Sequence, residues 1–241
     1  MSRHWWYRGR RVAVGSLARR AGVRPGGRRR VLDYGCGTGH MGGTLAAFGE
    51  VWGVEAAAEA LEHGRFDRYA GVVCAASMAE AELPEGSFGL ISCLDVIEHV
   101  DDDGALLRQL AARLEPDGVL LLAAPMDPRL YSGMDEAIGH RRRYTRESLF
   151  GTIHDAGLEP LVACGYVVAL LPLARAHRRR IQQGRARPEE EWKVPAAPLN
   201  MALSGIAMGE GLLARWVSLP PGLSLIVAAR RRTASPQERA A

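Results

Sequence analysis

The sequence predicts an α/β fold with a doubly wound, seven-stranded sheet, and two patterns lead to it. From residue 30 onward, short apolar runs alternate with amphipathic stretches, as in parallel strands joined by helices on both faces of a sheet. Two further strand-like runs follow a later helix, and a helical, proline-containing stretch separates them. With 241 residues, 47% apolar and 24% charged, the chain suits one globular domain with an insertion.

The first five strands are predicted at the apolar runs RVLDY, EVWGVE, AGVVCA, FGLISCL and GVLLLAA. Helices are expected between them, over residues 40–48, 56–64 and 104–114. Aspartates at 101–103 precede the third of these, where acidic side chains favour a helix start. A fourth helix, over 145–156, should have Thr145 as its N-cap and end at Gly157.

The last two strands are predicted over 158–165 and 223–229, and residues 166–222 between them are mostly helical with several prolines. An insertion between late strands of such a sheet is a natural lid over the ligand crevice. The predicted organisation is a cap helix (1–27), a ligand-binding core (28–165), a helical lid or substrate insertion (166–222), a final core strand (223–232) and a disordered tail (233–241).

Cysteine spacing and apolar run lengths predict a cytoplasmic protein. The four cysteines are far apart and form no CxxC pair, which favours reduced thiols: Cys36, Cys74, Cys93 and Cys164. The N-terminus has no continuous apolar region of a signal peptide. No apolar run approaches the roughly 18 residues that span a bilayer.

The net charge is only +4, but arginine is clumped at 28–30, 141–143, 177–180 and 230–232. Clumped arginine is compatible with phosphate-rich partners, with an anionic membrane surface, or with a solvated surface. An apolar segment leads into one of these clumps at VVALLPLARAHRRR (167–180), as in interfacial membrane anchors, although the segment is too short to span a bilayer and lid core is the favoured interpretation.

The strongest functional signal is VLDYGCGTGHMG, residues 31–42, where a predicted strand runs into a glycine-rich turn before a helix. Glycines let the backbone turn sharply and approach a ligand that faces the helix N-terminus. Two registers are open: Gly37, Gly39 and Gly42 fit the dinucleotide fingerprint GxGxxG, and a GxGxG pattern starts at Gly35.

Asp33 favours the register that starts at Gly35. Its carboxylate would repel a pyrophosphate and attract a ligand that carries an ammonium or a sulfonium. A second acid, Glu55, ends the next strand about 20 residues on, where a carboxylate can bind ribose hydroxyls. That ribose signal is common to both ligand classes.

The glycine-rich segment resembles motif I of class I S-adenosylmethionine-dependent methyltransferases, with Glu55 in VWGVE matching the ribose-binding acid. The similarity continues through LPEGSFGLISCLDVIEHV (83–100), LLRQLAARLEPDGVLLLAAP (106–125), DEAIGHRRRYTRESL (135–149) and HWWYRGRR (4–11). These stretches are similar to a bacterial branch that includes ubiquinone-pathway enzymes. The resemblance implies a Rossmann-like sheet, mostly parallel with an antiparallel last strand, and S-adenosyl-L-methionine as cofactor.

The resemblance also implies which residues contact this cofactor. Those expected beside it are Asp33, Gly35, Cys36, Gly37, Gly39, Glu55, Ala56, Ser77, Met78, Leu94, Asp95 and Arg11. Glu55 and Ala56 would serve the ribose, Ser77 and Met78 the adenine. The family often has an acid near position 79, where this chain has Ala79. An arginine of the first segment would pair with the cofactor carboxylate, unless that segment is only an amphipathic surface helix.

Methyl transfer requires an aligned nucleophile, exclusion of water and, for a hydroxyl acceptor, removal of a proton. His140 is the candidate base, since its ordinary pKa of ~6.5 suits proton abstraction near neutral pH. Asp135 would orient it or contact the substrate, and Tyr144 would shape the pocket. The alternative is that His140 only bonds backbone at a helix entry.

Asp95, Glu98 and His99 form D-x-x-E-H, and with His140 they could hold Mg²⁺ or a softer divalent ion. Ubiquinone-pathway and small-RNA methyltransferases, which this stretch resembles, carry a comparable E-x-x-E-H and a later histidine and bind a metal there. The competing interpretation is that these residues start a helix. The sequence leaves both interpretations open, a bound divalent metal ion and a helix start.

The resulting prediction is a cytoplasmic enzyme that methylates a small or medium-sized metabolite, with O-methylation in a bacterial biosynthetic pathway favoured. RNA methylation is disfavoured because the arginine clumps lack interleaved aromatics. Further alternatives are a membrane-associated lipid or glycan methyltransferase, a nicotinamide-dependent oxidoreductase that uses the other glycine register, and a non-catalytic cofactor-binding module. Acceptor choice is expected to depend on 166–222, and the pattern predicts no oligomeric state.

Overall fold

The structure is a computed structural model that describes residues 4–186 and 194–232, so the tail predicted at 233–241 lies outside it. A single seven-stranded sheet organises these residues. Its strands are β1 Arg29–Tyr34, β2 Gly49–Glu55, β3 Gly71–Cys74, β4 Phe88–Leu94, β5 Leu114–Pro125, β6 Leu158–Tyr166 and β7 Ser224–Arg231.

The strand order is β3-β2-β1-β4-β5-β7-β6. Strands β1 to β5 pair in parallel, and β7 runs antiparallel to both β5 and β6. The predicted sheet, mostly parallel with an antiparallel last strand, is therefore confirmed. The central strand β4 is buried along almost its whole length, which explains its continuous apolar sequence FGLISCL.

Eight helices connect the strands in the described part of the chain. They are α1 Trp5–Arg20, α2 Gly42–Leu45, α3 Ala58–Glu62, α4 Asp103–Arg113, α5 Gly133–Ala137, α6 Arg146–Asp155, α7 Leu171–Gln182 and α8 Ala197–Leu213. None of these described helices has the length and apolar content that crossing a bilayer would require.

Two helix starts that the sequence predicts, those of α4 and α6, have side-chain caps. The Thr145 hydroxyl accepts from the Ser148 amide, and the Ser148 hydroxyl accepts from the Thr145 amide, so the predicted N-cap of α6 is confirmed. Asp102 caps α4 by accepting from the Ala105 amide. The predicted helices at 40–48 and 56–64 are shorter, since α2 begins at two glycines and neither α2 nor α3 has a side-chain cap.

Apolar side chains fill both faces of the sheet, as the doubly wound pattern predicts. On one face, Leu107 and Leu110 of α4 pack with Leu149 and Ile153 of α6. On the other face, α1, α2 and α8 supply the second core. Along β4, Ile91 belongs to the first core and Leu90 to the second.

The described residues of the inserted segment between β6 and β7 contain two helices, which lie in different positions. Helix α8 packs closely along α1. A Cβ added to Gly9 would lie only 2.5 Å from the Ala207 Cβ, and a Cβ added to Gly211 would lie 2.8 Å from the Ala13 amide nitrogen. Helix α7 instead reaches the 3₁₀ turn after β5. Of these two helices, only α7 contributes a residue, Arg178, to the cavity described below.

Candidate functional site

A cavity of about 460 Å³ lies at the carboxyl ends of the parallel strands. This edge is where open α/β sheets bind their ligands. The loops after β1 and β4, the aromatic start of α1, the region around α5 and one arginine of α7 form its wall. The polar side chains that line it are His4, Tyr7, Arg10, Asp33, Thr38, His40, Asp95, Glu98, His99, His140, Arg143, Arg178 and Ser224.

The glycine turn after β1 forms one part of this wall. Gly35, Gly37 and Gly39 have φ angles of 71°, 53° and 78°, which L side chains rarely adopt. A Cβ on Gly35 would also lie 2.4 Å from a methyl carbon of Val96. Gly35, Cys36 and Gly37 line the cavity, whereas Gly39 packs against the Arg65 carbonyl and supports the turn from behind.

Asp33 lies at the base of the cavity, where strand pairing fixes it. It is 2% exposed, and its register partner on β4 is Ser92. The Ser92 hydroxyl donates to Oδ1 at 2.7 Å, and the Tyr69 hydroxyl donates to Oδ2 at 2.6 Å. Burial raises the pKa of Asp33, and these two hydrogen bonds oppose that rise.

Glu55 supports the glycine turn from the end of β2. Its Oε2 accepts from the Gly37 amide at 2.7 Å, and its Oε1 accepts from the Ala57 amide at 2.9 Å. Carboxylate oxygens have further lone pairs, so Glu55 can accept hydroxyl donors as well. Ala56, beside it, is exposed.

The pair predicted for adenine lies away from the cavity wall. Met78 is fully buried in the core, and the Ser77 hydroxyl accepts from the Glu80 amide. The sequence suggested no acid at position 79, yet the Glu80 carboxylate lies in this loop and accepts from the Ala76 amide at 2.8 Å.

On α1 the cavity-lining arginine is Arg10, whereas Arg11 lies outside the wall and is partly exposed. Arg10 is buried and forms an ion pair with Asp95, which follows β4 with a φ of 53°. Arg10 lies four residues after Trp6 and three residues after Tyr7, and both of these aromatic residues also line the cavity. Leu94 and Asp95, which the resemblance places beside the cofactor, both line the cavity.

His140 and Asp135 form a hydrogen-bonded pair at the opposite wall. Nδ1 of His140 lies 3.0 Å from Oδ1 of Asp135, and Nε2 lies 3.6 Å from Oε1 of Glu98. Asp135 is completely buried in the first turn of α5, where it also accepts from the Ser132 amide. The structure thus brings the predicted base and its predicted orienting acid together.

Two arginines complete the surroundings of Asp135. Nε of Arg143 donates to Oδ1 at 2.8 Å, and Nη1 of Arg178 donates to Oδ2 at 2.5 Å. Burial by itself would raise the pKa of Asp135, but the hydrogen bond from His140 and the two guanidinium charges hold it well below the ordinary range. Asp135 is therefore an anion at neutral pH.

The three arginines of 141–143 do not form one patch. Arg141 pairs with Asp101 and donates to the His99 carbonyl, and Arg142 donates to the Val100 carbonyl. Only Arg143 is buried in the cavity wall. Arg141 and Arg142 hold the segment before α6 against the loop after β4.

Tyr144 does not line the cavity. Its side chain is buried, and its hydroxyl donates to Oδ2 of Asp103 at 2.7 Å and contacts the Ile97 carbonyl at 3.2 Å. Burial raises the pKa of this phenol, and the hydrogen bond to Asp103 adds to that effect. The structure therefore places Tyr144 as a tie between α6 and α4, apart from His140 and Asp135.

Glu98, His99 and His140 are the only group in the described residues with metal-ligand geometry. One ligand atom from each lies within 4.8 Å of the others. Glu98 is fully buried, and neither of its carboxylate oxygens has a hydrogen-bond partner within the described structure. Asp95, the fourth predicted ligand, is instead paired with Arg10.

Sequence patterns missed Arg10 and Arg178 as cavity residues. Helical spacing does not separate Arg10 from Arg11, because Arg10 lies four residues after Trp6 and Arg11 lies four residues after Tyr7, and both aromatic residues line the cavity. Arg178 belongs to a basic run, 177–180. It lines the cavity, unlike its neighbours in that run, because α7 packs beside Asp135, which is 43 positions away in the sequence. No local pattern marks such a contact.

Comparison with known proteins agrees with this architecture. Residues 5–163 match the family described as a methyltransferase domain. A protein of Mycobacterium tuberculosis named as a probable S-adenosylmethionine-dependent methyltransferase is 31% identical over 166 residues, which cover 67% of this chain and 58% of that protein. The ubiquinone biosynthesis O-methyltransferase of Neisseria meningitidis is 31% identical over 105 residues, covering 39% of this chain and 43% of the relative.

A solved S-adenosylmethionine-dependent methyltransferase from Archaeoglobus fulgidus has the same fold, with a TM-score of 0.58, 17% identity, and coverage of 92% of this chain and 94% of that one. The chain spans less than two thirds of the length of the curated relatives named above. Family membership makes S-adenosylmethionine the cosubstrate of the matched domain. From its glycine turn, its sheet and its sequence match, the chain belongs to the methyltransferase-domain family.

Proposed function

We propose that the protein transfers a methyl group from S-adenosylmethionine to a hydroxyl of a small or medium-sized metabolite, with His140 as general base. The observation that carries this proposal is the His140–Asp135 pair, which lies at the wall of a cavity that the glycine turn also lines. Partial similarity to a ubiquinone biosynthesis O-methyltransferase supports oxygen as the acceptor atom.

The cavity fits the cosubstrate at its glycine side. Gly35 and Gly37 present bare backbone, and a Cβ on Gly37 would meet nothing within 4 Å, so this stretch leaves room for the amino-acid part of a ligand. The Asp33 carboxyl lies beside it, which suits a ligand that carries an ammonium and a sulfonium, whereas Asp95 is already paired with Arg10. Glu55 would accept from the ribose hydroxyls. Bound there, S-adenosylmethionine supplies a methyl group already activated by its sulfonium.

The residues at the opposite wall would then handle the acceptor. Because Asp135 is an anion, its carboxylate would accept a hydrogen bond from a protonated Nδ1 of His140. Nε2 would then carry the lone pair and serve as the basic nitrogen. Nε2 would take the hydroxyl proton as the acceptor oxygen attacks the methyl group. His4, Trp5, Trp6 and Tyr7 form a largely aromatic wall that would exclude water from the reacting atoms.

His140→Ala tests the assignment of the base. The variant should lower kcat by about 10²- to 10⁴-fold, the usual contribution of general base catalysis, and leave the affinity for S-adenosylmethionine nearly unchanged. The measurement combines calorimetry of cosubstrate binding with mass spectrometry of hydroxylated candidate acceptors, which would gain one methyl mass.

His154→Ala is the matched control, since this histidine is exposed on α6 away from the cavity. His140→Gln keeps most of the side-chain volume and separates loss of the base from loss of packing. Full turnover by both His140 variants would exclude His140 as the base. Weakened cosubstrate binding in both would instead assign this residue to the cosubstrate.

A further inference from the structure

Helix α8 has its polar residues inside and its apolar residues outside, the reverse of an ordinary surface helix. Its buried polar residues are Asn200, Ser204 and Glu210. The exposed large apolar side chains of α8 and of the turn after it, here called the α8 face, are Leu199, Met201, Ile206, Leu212, Leu213, Trp216 and Val217. Trp216 is 73% exposed and Met201 is 64% exposed.

Specific hydrogen bonds fix this orientation. Oδ1 of Asn200 accepts from the Trp5 amide at 3.0 Å. The Glu210 carboxylate accepts from the Val168 amide at 3.0 Å and from the Ala169 amide at 2.6 Å. Rotating α8 to bury its apolar side would break these bonds and leave a carboxylate without its donors. The outward apolar side is thus built into the fold.

The apolar residues of the α8 face form one continuous band. At 3.6 residues per turn, the exposed positions of α8 occupy roughly half of its circumference. Within α8 itself, no charged side chain interrupts the band, because Glu210, its only charged residue, is buried. Contiguous exposed apolar patches on soluble proteins mark surfaces that bind a partner or a membrane.

The charged side chains described beside the α8 face are Arg20 and Arg215, whereas Glu189, Glu190 and Glu191, which precede α8 in the sequence, lie outside the described residues. Within the three fully described helices α1, α7 and α8, the sole acidic residue is the buried Glu210. Arg20 of α1 donates to the Ala214 carbonyl and to the Ser218 hydroxyl, so its guanidinium lies beside the turn that carries Trp216. Arg215 directly precedes Trp216. An apolar band, an exposed tryptophan and flanking arginines match the interface of an anionic bilayer.

We propose that the α8 face docks on an anionic lipid bilayer, with its apolar side chains at the level of the headgroups and acyl boundary. A second copy of this chain is a poorer partner, since α1, α7 and α8 offer no exposed acid to meet Arg20 and Arg215. Docking would hold α1, whose first residues line the cavity, close to the membrane surface. This proposal goes beyond methyl transfer and does not depend on it.

Sedimentation of the full chain with vesicles tests the proposal. The protein should bind vesicles of phosphatidylcholine that contain phosphatidylglycerol, bind pure phosphatidylcholine much more weakly, and be released by added salt. Leu212→Gln and Trp216→Gln should each weaken the partition coefficient by about tenfold, the scale of removing one buried apolar side chain. Arg215→Gln should weaken it by about fivefold, the scale of one surface arginine.

Leu161→Gln is the matched control, because Leu161 is an exposed leucine on the edge strand β6 and should not change binding. The substituted leucine and tryptophan are exposed, so their variants should keep the wild-type melting temperature. Absence of binding to the anionic vesicles, or binding that Leu212→Gln and Trp216→Gln leave intact, would overturn the proposal. A dimer in light scattering that Leu212→Gln dissociates would assign the α8 face to a second copy instead.

Discussion

Ion pairs between single residues determine the charge of the acidic side chains in and behind the cavity wall. Asp95 is neutralised by Arg10 on the glycine side, and Asp135 is held as an anion by Arg143 and Arg178 on the other side. The first pair leaves Asp33 as the buried acid nearest the glycine turn, and the second anchors the Asp135 carboxylate that bonds Nδ1 of His140. Each wall thus has its own electrostatic role.

The cluster of Glu98, His99 and His140 allows a test by metal removal. If the proposed His140–Asp135 pair is the base, methyl transfer should be unchanged by a chelator, because that pair would take the proton without a metal ion. The measurement is initial rate before and after chelation, with Mg²⁺ and Mn²⁺ added back. The prediction would be contradicted if chelation removed the activity, either ion restored it, and His99→Ala abolished that response. A bound cation, rather than His140 alone, would then be required for deprotonation of the acceptor.

Between elements, the contact of α1 with α8 determines how the cavity is closed on its aromatic side. Small residues, Gly9 and Ala13 on α1 and Ala207 and Gly211 on α8, let the two helices approach closely. The Tyr166 hydroxyl donates to the Trp6 carbonyl at 2.6 Å and ties the start of α1 to the end of β6. The aromatic wall is therefore held by packing from the inserted segment.

Gly9→Ala should destabilise the protein by about 1–3 kcal/mol, the usual cost of overpacking, because its Cβ would lie 2.5 Å from the Ala207 Cβ. Gly205→Ala on α8 is the matched control. A Cβ there meets nothing within 4 Å, so this change should stabilise the helix by about 0.5–1 kcal/mol. Urea unfolding followed by circular dichroism measures both values. Equal effects of the two substitutions would contradict the close packing of α1 and α8.

For the whole molecule, the order of the strands places the acids Asp33 and Glu55 on neighbouring strands, β1 and β2. Both flank the glycine turn at the carboxyl edge of the sheet, and Glu55 bonds directly to Gly37. This arrangement serves a cationic ligand with a ribose better than it serves a pyrophosphate.

S-adenosylmethionine should accordingly raise the melting temperature of the whole chain, whereas NADH should not. At a ligand concentration one hundred times its Kd, binding contributes about 2.7 kcal/mol, which corresponds to a shift of several degrees. Differential scanning fluorimetry and calorimetry with both ligands measure the effect, and S-adenosylhomocysteine serves as the matched control without the methyl group. A larger increase in melting temperature with NADH than with S-adenosylmethionine would contradict this prediction and support the dinucleotide-binding register of the glycine turn.

The sequence by itself determined the sheet and its helical layers, the glycine turn, the cap at Thr145 and the candidate pair of His140 and Asp135. These features depend on local periodicity, on glycine conformations and on short hydrogen-bonding motifs, all of which are written in neighbouring residues.

Only the tertiary structure decided that Arg10 and Arg178 enter the cavity, that Tyr144 ties two helices together, and that Asp95 leaves the metal-ligand cluster. It also decided that α8 presents its apolar side to solvent. These outcomes depend on contacts between distant parts of the chain, such as Asn200 with Trp5 and Arg178 with Asp135. Burial and charge pairing at such contacts override the local pattern, because a buried polar group must find its partner wherever the fold places one.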